Sequence, residues 1–382
     1  MSLIIPTMHG IQLPAIQTKR QPLKIVDAKV ADVLVERINT AYSREDGKRD
    51  GIYYWPDALP TPDLAQLPDP LVLFQPDDTP GLMATERLAT VPLSLHQVLV
   101  KSSMDQLKPS MQVPLGLIDK PEVQQRDTLL IDLHGSGGAL TGGPLLIAGM
   151  QNSGKATALQ TILLWFTARY RPHQFRCAVI DPNHDLDLFQ DLPHLCDDDG
   201  TTLWTEGSTD EQVTQLANRI ANIANRRREK YADLRWDDDT LLHLWMHGET
   251  VPLLLLIISN YHRFIERAVA SNTLRRLVLS IVEAHALGFY VVMSSAEVNA
   301  RHISPDIMGK MGTKIGLFLN EQQRYDLFGR PPMMDLIPGR GYMLTRDREL
   351  HQVQLALPVS GATESLRREV LKGQVQWLSS QD

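Results

Sequence analysis

Short apolar runs alternate with amphipathic stretches along the chain after residue 112. The apolar runs predict strands at 113–119, 128–133, 144–149, 175–181, 251–259, 289–296, 313–319 and 341–346. The amphipathic stretches, whose apolar residues recur three and four positions apart, predict helices at 156–170, 209–234, 271–288 and 362–378. Because strands that alternate with helices form mainly parallel sheets covered on both faces, the pattern predicts an α/β fold.

The first 111 residues follow a different pattern. An amphipathic helix is predicted at 26–42, whereas proline is so frequent in 55–80 that this stretch is expected to be extended. We therefore expect three regions: an N-terminal linker at 1–111 with a helix and a proline-rich extended segment, an α/β domain at 112–359, and a helical tail or linker at 360–382.

Composition narrows the classes of protein that fit. Apolar residues make up 43% of the chain and charged residues 22%, which is ordinary for a soluble globular protein. The net charge of −7 argues against a surface that is basic all over, so nucleic-acid binding would need a local patch. Cys177 and Cys196 are too few for a disulfide framework and fit a reducing, cytoplasmic compartment. The longest strongly apolar run, 251–258, is too short to span a bilayer.

The stretch GMQNSGKAT, 149–157, has the spacing of a phosphate-binding loop. It lies between a predicted strand and a predicted helix, and glycines allow its backbone N–H groups to point inward, while the helix N-terminus favours anions. Its lysine is placed to reach the phosphates. The alternative is an ordinary glycine-containing turn with a surface lysine. The residues predicted to bind nucleotide are Gly149, Gln151, Asn152, Ser153, Gly154, Lys155, Ala156 and Thr157.

Two parts of a working phosphoryl-transfer site are missing from the sequence. Ala156 occupies the position whose hydroxyl normally binds Mg²⁺, and Thr157 lies about 100° further around the helix. Ser259 and Asn260 end the apolar run 251–258, where a Walker B carboxylate and a water-activating Glu belong. Both the Walker A and the Walker B motifs are therefore degenerate, and we assign no catalytic residue and no metal ligand. We expect ATP binding with weak or absent hydrolysis, and weakened Mg²⁺ binding.

Other polar clusters have a structural interpretation beside a functional one. The basic residues at one helix end could contact phosphates, but charges at a helix C-terminus are usually solvated. An arginine pair on a helix face could act as an arginine finger in an assembly, but the disabled partner site disfavours this role. A set of His and Asp residues could suggest a metal site, although solvation of a loop explains it better. In order, these clusters are Arg226–Arg228 with Lys230; Arg275 with Arg276; and His184, Asp185, Asp187 and His194.

Taken together, the segments resemble the FtsK/SpoIIIE family of P-loop motor ATPases over residues 112–358. VPLGLIDKPEVQQRDTLLIDLHGSGG is similar to the family's lead-in to the P-loop, and DPNHDLDLFQDLPHL to its next strand and loop. NRRREKYADL, LGFYVVMSSAEV and PGRGYM match later elements, and WPDALP resembles a linker motif. The nearest match is the tandem ATPase modules of type VII secretion proteins of the EccC/EssC type.

The resemblance implies a RecA-like P-loop NTPase fold in a regulatory or substrate-binding module of a membrane-anchored translocation ATPase. It also implies neighbouring ATPase modules or copies of the chain as partners, in a membrane-associated complex whose soluble part is cytoplasmic. In related modules it implies a pocket for the C-terminal signal of a secreted protein. Two alternatives stay open: an active double-stranded-DNA translocase, although DNA is the less favoured partner, and a scaffold that binds no nucleotide.

Overall fold

A computed structural model describes residues 72–74, 109–120, 125–135, 141–237, 239–329, 332–333, 337–345, 348–359 and 363–380. The helix predicted at 26–42, the WPDALP motif and most of the proline-rich stretch 55–80 lie outside the described residues.

The described residues form strands and helices in the alternation that the sequence predicts. The strands are β1 (Val72–Phe74), β2 (Gln112–Lys120), β3 (Gln125–Asp132), β4 (Leu145–Gly149), β5 (Phe175–Ile180), β6 (Trp204–Thr205), β7 (Leu253–Ile258), β8 (Phe289–Ser295), β9 (Thr313–Leu317), β10 (Arg340–Leu344), β11 (Leu350–Leu355) and β12 (Leu357–Val359). The helices are α1 (Lys155–Arg169), α2 (Asp210–Lys230), α3 (Thr240–Met246), α4 (Ala268–Glu283), α5 (Pro305–Lys310), α6 (Glu321–Phe328) and α7 (Glu364–Ser379).

Ten of these strands form one sheet in the order β3-β2-β11-β10-β9-β4-β8-β7-β5-β6. Every pairing from β9 through β4, β8, β7 and β5 to β6 is parallel. The other half, from β3 to β9, is joined by antiparallel pairings. The α/β fold predicted from the sequence is confirmed, with an antiparallel extension of the parallel core.

Alternate residues of the central strands belong to two different hydrophobic cores. Leu145 and Ile147 of β4 lie in the core that α1 and α7 cover, whereas Leu146 and Ala148 lie in the core that α2 and α4 cover. This division follows from the period of two along a strand, which sends neighbouring side chains to opposite faces. Helices therefore cover both faces, as predicted.

Elements with a weak apolar pattern were not predicted, notably α3, α5, α6, β6, β11 and β12. Each is short, so its apolar residues define no clear period. The long helix predicted at 209–234 ends at Lys230 instead, after beginning at a capping box between Thr209 and Gln212. Among the described residues, no helix is both long and apolar enough to cross a bilayer.

Candidate nucleotide-binding site

The loop between β4 and α1 has the backbone conformation of a tight phosphate-binding turn. Asn152 and Gly154 have φ values of 60° and 103°, so two residues of the loop are in positive-φ conformations. The loop is fixed at both ends by hydrogen bonds, because the Met150 N–H donates to the Phe318 carbonyl at 3.2 Å and the Gly339 N–H donates to the Ser153 carbonyl at 2.9 Å. The shape of the loop is therefore held by the neighbouring strand β9 and by the turn before β10.

Gly149 allows this close packing. A Cβ atom at Gly149 would lie 2.3 Å from the Leu317 carbonyl oxygen and 2.5 Å from Ser153 Oγ, so no larger residue fits. Ser153 is fully buried, and its hydroxyl has no hydrogen-bond partner among the described residues. A buried hydroxyl without a partner is costly, and a bound anion at the loop would satisfy it.

Lys155 is the first residue of α1, and its side chain extends back to the loop. Its Nζ donates to the carbonyl oxygens of Gly149 at 2.7 Å and Met150 at 2.8 Å, and the residue is 8% exposed. Burial lowers the pKa of Lys155 to about 8, while the negative charge of Asp185 partly opposes this shift. The third ammonium proton has no acceptor in the described part of the chain, so the lysine is placed to bind a phosphate oxygen.

The other residues predicted to bind nucleotide surround this centre. Gln151 and Asn152 are exposed at the tip of the loop, while Ala156 and Thr157 are half-buried in the first turn of α1. That turn contains no acidic residue, so the positive end of the helix dipole is not neutralised there. The residues of the loop thus form a cradle suited to an anion.

Ser259 and Asn260 follow β7 directly and are buried, with exposures of 0% and 6%. Asn260 has left-handed backbone dihedrals and its N–H donates to Ser294 Oγ at 2.9 Å, which joins it to β8. Strand β8 pairs with both β4 and β7, so the ends of the three strands lie at one edge of the sheet. The structure therefore brings the degenerate Walker B pair to the same edge as the lysine loop.

A carboxylate from the loop after β5 contacts this pair. Asp185 Oδ2 accepts hydrogen bonds from Ser259 Oγ at 3.1 Å and from Asn260 Nδ2 at 3.0 Å. Asp185 belongs to the loop after β5 and is half-buried, so its interpretation as a solvated loop residue is wrong. His194 is also buried, with Nε2 2.7 Å from the Tyr170 carbonyl oxygen.

His262 completes the polar residues near Lys155. Its Nδ1 accepts the Ala296 N–H at 3.1 Å, which leaves the proton of the neutral ring on Nε2. Burial and, to a smaller extent, the positive charge of Lys155 together lower the pKa of His262 to about 4. His262 is therefore neutral at pH 7.

The remaining clusters contribute to stability or lie away from the loop. Arg227 is buried and donates to the carbonyl oxygens of Leu287 and Pro252 beside the opposite ends of the strands, so its solvated interpretation is wrong. Arg275 forms an ion pair with Asp306. No group of three or more His, Cys, Asp or Glu residues in the described ranges could hold a metal ion.

Sequence reasoning missed His262, and it considered Asp185 only as part of a loop cluster and not as a neighbour of the lysine loop, although a signal for both placements was available. Strands β5 and β7 are parallel neighbours, so the polar residues that follow each strand meet at one edge of the sheet. Taking DPNHD after β5 together with SNYH after β7 would have placed Asp185 and His262 beside the lysine loop.

The sequence also matches the model of a known protein family. The model of the FtsK/SpoIIIE family matches residues 95–331. The chain belongs to the FtsK/SpoIIIE family. This membership confirms the resemblance stated from the sequence motifs, and nucleotide binding at the P-loop is the general property of the fold.

Curated relatives of this FtsK/SpoIIIE chain are secretion proteins. It is 24% identical over 265 residues to the ESX secretion system protein EccC of Geobacillus thermodenitrificans, which covers 67% of this chain and 17% of that protein. It is 23% identical over 272 residues to the type VII secretion system protein EssC of Staphylococcus aureus, covering 69% of this chain and 17% of that protein. The chain thus spans 17% of the length of these relatives.

Solved structures share the fold. ATPases 2 and 3 of EssC from Geobacillus thermodenitrificans match with a TM-score of 0.62 and 21% identity, over 82% of this chain and 52% of that one. ATPases 2 and 3 of Thermomonospora curvata EccC, in complex with a signal sequence peptide, match with a TM-score of 0.56 and 21% identity, over 72% of this chain and 48% of that one. The P-loop ATPase fold predicted from the sequence is therefore confirmed.

Proposed function

We propose that this chain is a nucleotide-binding module of a type VII secretion ATPase that holds ATP and hydrolyses it slowly or not at all. The observation that carries the proposal is the combination of an intact lysine loop with a Walker B pair that has no acid. Lys155 and the buried Ser153 hydroxyl fit the phosphates of ATP. Ser259 and Asn260 provide no general base for the attacking water.

Different groups of the loop would make different contacts with ATP. The backbone N–H groups from Gly149 to Lys155 would bind phosphate oxygens, and the Lys155 ammonium would neutralise part of their charge. Mg²⁺, when bound with ATP, supplies charge neutralisation of the phosphates. Ala156 offers no hydroxyl to it, so this contribution would be smaller than in active relatives.

The secretion context of the proposal rests on the relatives. These relatives are proteins of ESX and type VII secretion, and one solved relative is in complex with a signal sequence peptide. We extend to this chain a role as a regulatory or substrate-binding module that contacts neighbouring ATPase modules or further copies of itself. A cytoplasmic location fits the two cysteines, Cys177 and Cys196, which are both free thiols.

An equilibrium titration with ATP tests the proposal. The wild-type protein should bind ATP saturably, and Lys155→Ala should weaken binding by roughly tenfold to a hundredfold because it removes a charge-assisted phosphate contact. Lys310→Ala, which changes an exposed lysine at the end of α5, is the matched control and should bind normally. Absence of binding in all three proteins would favour the scaffold alternative, and rapid DNA-stimulated turnover would favour the DNA translocase.

A further inference from the structure

We propose that Asp185, from the loop after β5, takes the place of the missing Walker B carboxylate and is the residue through which Mg²⁺ strengthens nucleotide binding. The inference rests on the proposed function, because Mg²⁺ would enter this site together with ATP. It assigns a role to an acid that lies outside β7, the strand at whose end the Walker B carboxylate is expected.

The position of the carboxylate carries the inference. Asp185 Oδ2 lies 3.1 Å from Ser259 Oγ and 3.0 Å from Asn260 Nδ2, which are the two side chains that replace the usual acidic pair. Its charge also acts on Lys155, whose pKa it raises against the effect of burial. Asp185 therefore supplies negative charge at the end of β7 that also acts on Lys155, although it comes from the loop after β5.

The loop that carries Asp185 is held in place by the P-loop helix itself. Gln160 of α1 donates from Nε2 to the Asp185 carbonyl at 2.8 Å. The Leu186 N–H donates to Asp181 Oδ2 at 2.7 Å, and His184 has a positive φ of 59°. A positive φ is uncommon for residues other than glycine, although histidine tolerates it better than most, and these contacts hold the loop in that conformation.

Two buried polar atoms without partners point to a ligand at this edge. Asp181 is fully buried and its Oδ1 has no hydrogen-bond partner among the described residues. The same holds for the Ser153 hydroxyl in the lysine loop. Buried polar atoms are normally satisfied. A phosphate oxygen would accept from the Ser153 hydroxyl, and a water bound to the cation would donate to the Asp181 carboxylate.

The donor set fits Mg²⁺ better than a metal that binds to the protein alone. No group of three His, Cys, Asp or Glu ligands is present in the described ranges. Mg²⁺ keeps several waters and is usually held by one or two carboxylates together with phosphate oxygens. Asp185 is therefore expected to act only when ATP is present.

A purely structural role for Asp185 makes different predictions, and the neutral variant separates the two. Asp185→Asn keeps the size of the side chain and an oxygen that can accept the two hydrogen bonds, so the loop should remain folded. Asp187→Asn is the matched control, because Asp187 lies in the same loop but bonds to His184 and is partly exposed.

Calorimetric titration with ATP, in Mg²⁺ and in EDTA, tests the inference. For the wild type, Mg²⁺ should strengthen ATP binding by about tenfold or more. Asp185→Asn should weaken Mg²⁺–ATP binding by about tenfold, the size of effect seen when a metal site loses a supporting group. In EDTA the same variant should bind ATP more tightly than the wild type, because a negative charge near the phosphates is gone. Asp187→Asn should change neither value.

A second variant tests whether a carboxylate at the end of β7 can replace that of Asp185. Adding Ser259→Asp to Asp185→Asn returns the carboxylate to the end of β7 and should restore the Mg²⁺ effect. The inference is overturned if the wild type binds ATP equally in Mg²⁺ and EDTA, or if Asp185→Asn keeps the full Mg²⁺ effect. In those outcomes the proposed function survives. If the wild type binds no ATP under either condition, both the proposed function and this inference fall.

Discussion

Lys155 has two competing influences on its charge. Burial lowers its pKa to about 8, and the carboxylate of Asp185 acts in the opposite direction. In the free protein the ammonium is held by the carbonyl oxygens of Gly149 and Met150. The phosphates of ATP would favour the charged lysine strongly, so binding and protonation at this residue are linked.

This linkage predicts a pH dependence of stability. The unfolded chain keeps the proton on Lys155 to a pKa near 10.5, whereas the folded protein releases it at about 8. Between these values the unfolded state binds more protons, so the contribution of Lys155 to the free energy of unfolding rises with pH. Urea unfolding of the wild type and of Lys155→Met at several pH values measures this contribution.

As the pH rises from 8 to 10.5, the free energy of unfolding of the wild type should increase relative to that of Lys155→Met. Below pH 8 the difference should be constant, because both states then carry the proton. ATP affinity should fall over the same rise in pH, since the neutral amine binds phosphate poorly. A difference independent of pH would show that the lysine is not buried as described.

At the level of single residues, the sequence identified the members of the loop but not all of their neighbours. Spacing alone picks out Gly149 and Lys155, because the phosphate loop is a local structure. Asp185 lies 74 positions from Ser259 in the chain, and their contact depends on how two loops pack. Such a contact follows from strand order, which periodicity does not specify.

At the level of elements, the end of α2 is anchored to the sheet by one arginine of a basic run. Arg227 is 7% exposed, donates to the carbonyl oxygens of Leu287 and Pro252, and lies over the ring of Phe289. Burial lowers its pKa to about 10. Arg226 and Arg228 are exposed. The run therefore has one buried structural member, Arg227, beside an exposed Arg226 that pairs with Asp197 and an exposed Arg228.

This arrangement predicts unequal effects of two neighbouring substitutions. Arg227→Ala should lower the free energy of unfolding by about 2 to 4 kcal/mol, because it leaves two buried carbonyl groups without their charged donor. Arg228→Ala should change it by less than about 0.5 kcal/mol. Urea denaturation measures both, and equal effects would show that the run acts as one solvated group.

Strands and long helices were predictable because each has a strong local period, whereas the antiparallel half was not fully predictable. Strand β11 was not identified, and it joins β10 to β2. Its sequence, LHQVQL, mixes polar and apolar residues and resembles an exposed segment as much as a strand. Pairing with strands on both sides stabilises it, and that information is not local.

At the level of the whole molecule, the C-terminal helix α7 packs onto the α/β core. Leu371, Val375 and Leu378 are buried in the same core as α1 and the strands it covers. The sequence separated 360–382 as a tail or a linker to a next module. We propose that its helix is also part of the folded unit, because its apolar face is covered.

Paired leucine substitutions test this placement. Leu371→Ala should lower the free energy of unfolding by about 2 to 5 kcal/mol, the range for a buried leucine. Leu366→Ala, on the same helix but 45% exposed, should have an effect below about 0.5 kcal/mol. If both variants unfold like the wild type, α7 does not contribute to the core.

The central claim is that the site holds ATP without efficient hydrolysis. A stoichiometric complex of the protein with γ-labelled ATP and Mg²⁺, sampled over time, reports the fate of the phosphate directly. Active enzymes commonly turn over at about 10 s⁻¹. Loss of acid–base activation alone is worth about 10² to 10⁴ in rate, so the label should be released at about 0.1 s⁻¹ or slower. Lys155→Ala should form less of the complex, because it binds ATP more weakly. Phosphate release at about 10 s⁻¹ from the wild type would contradict the account.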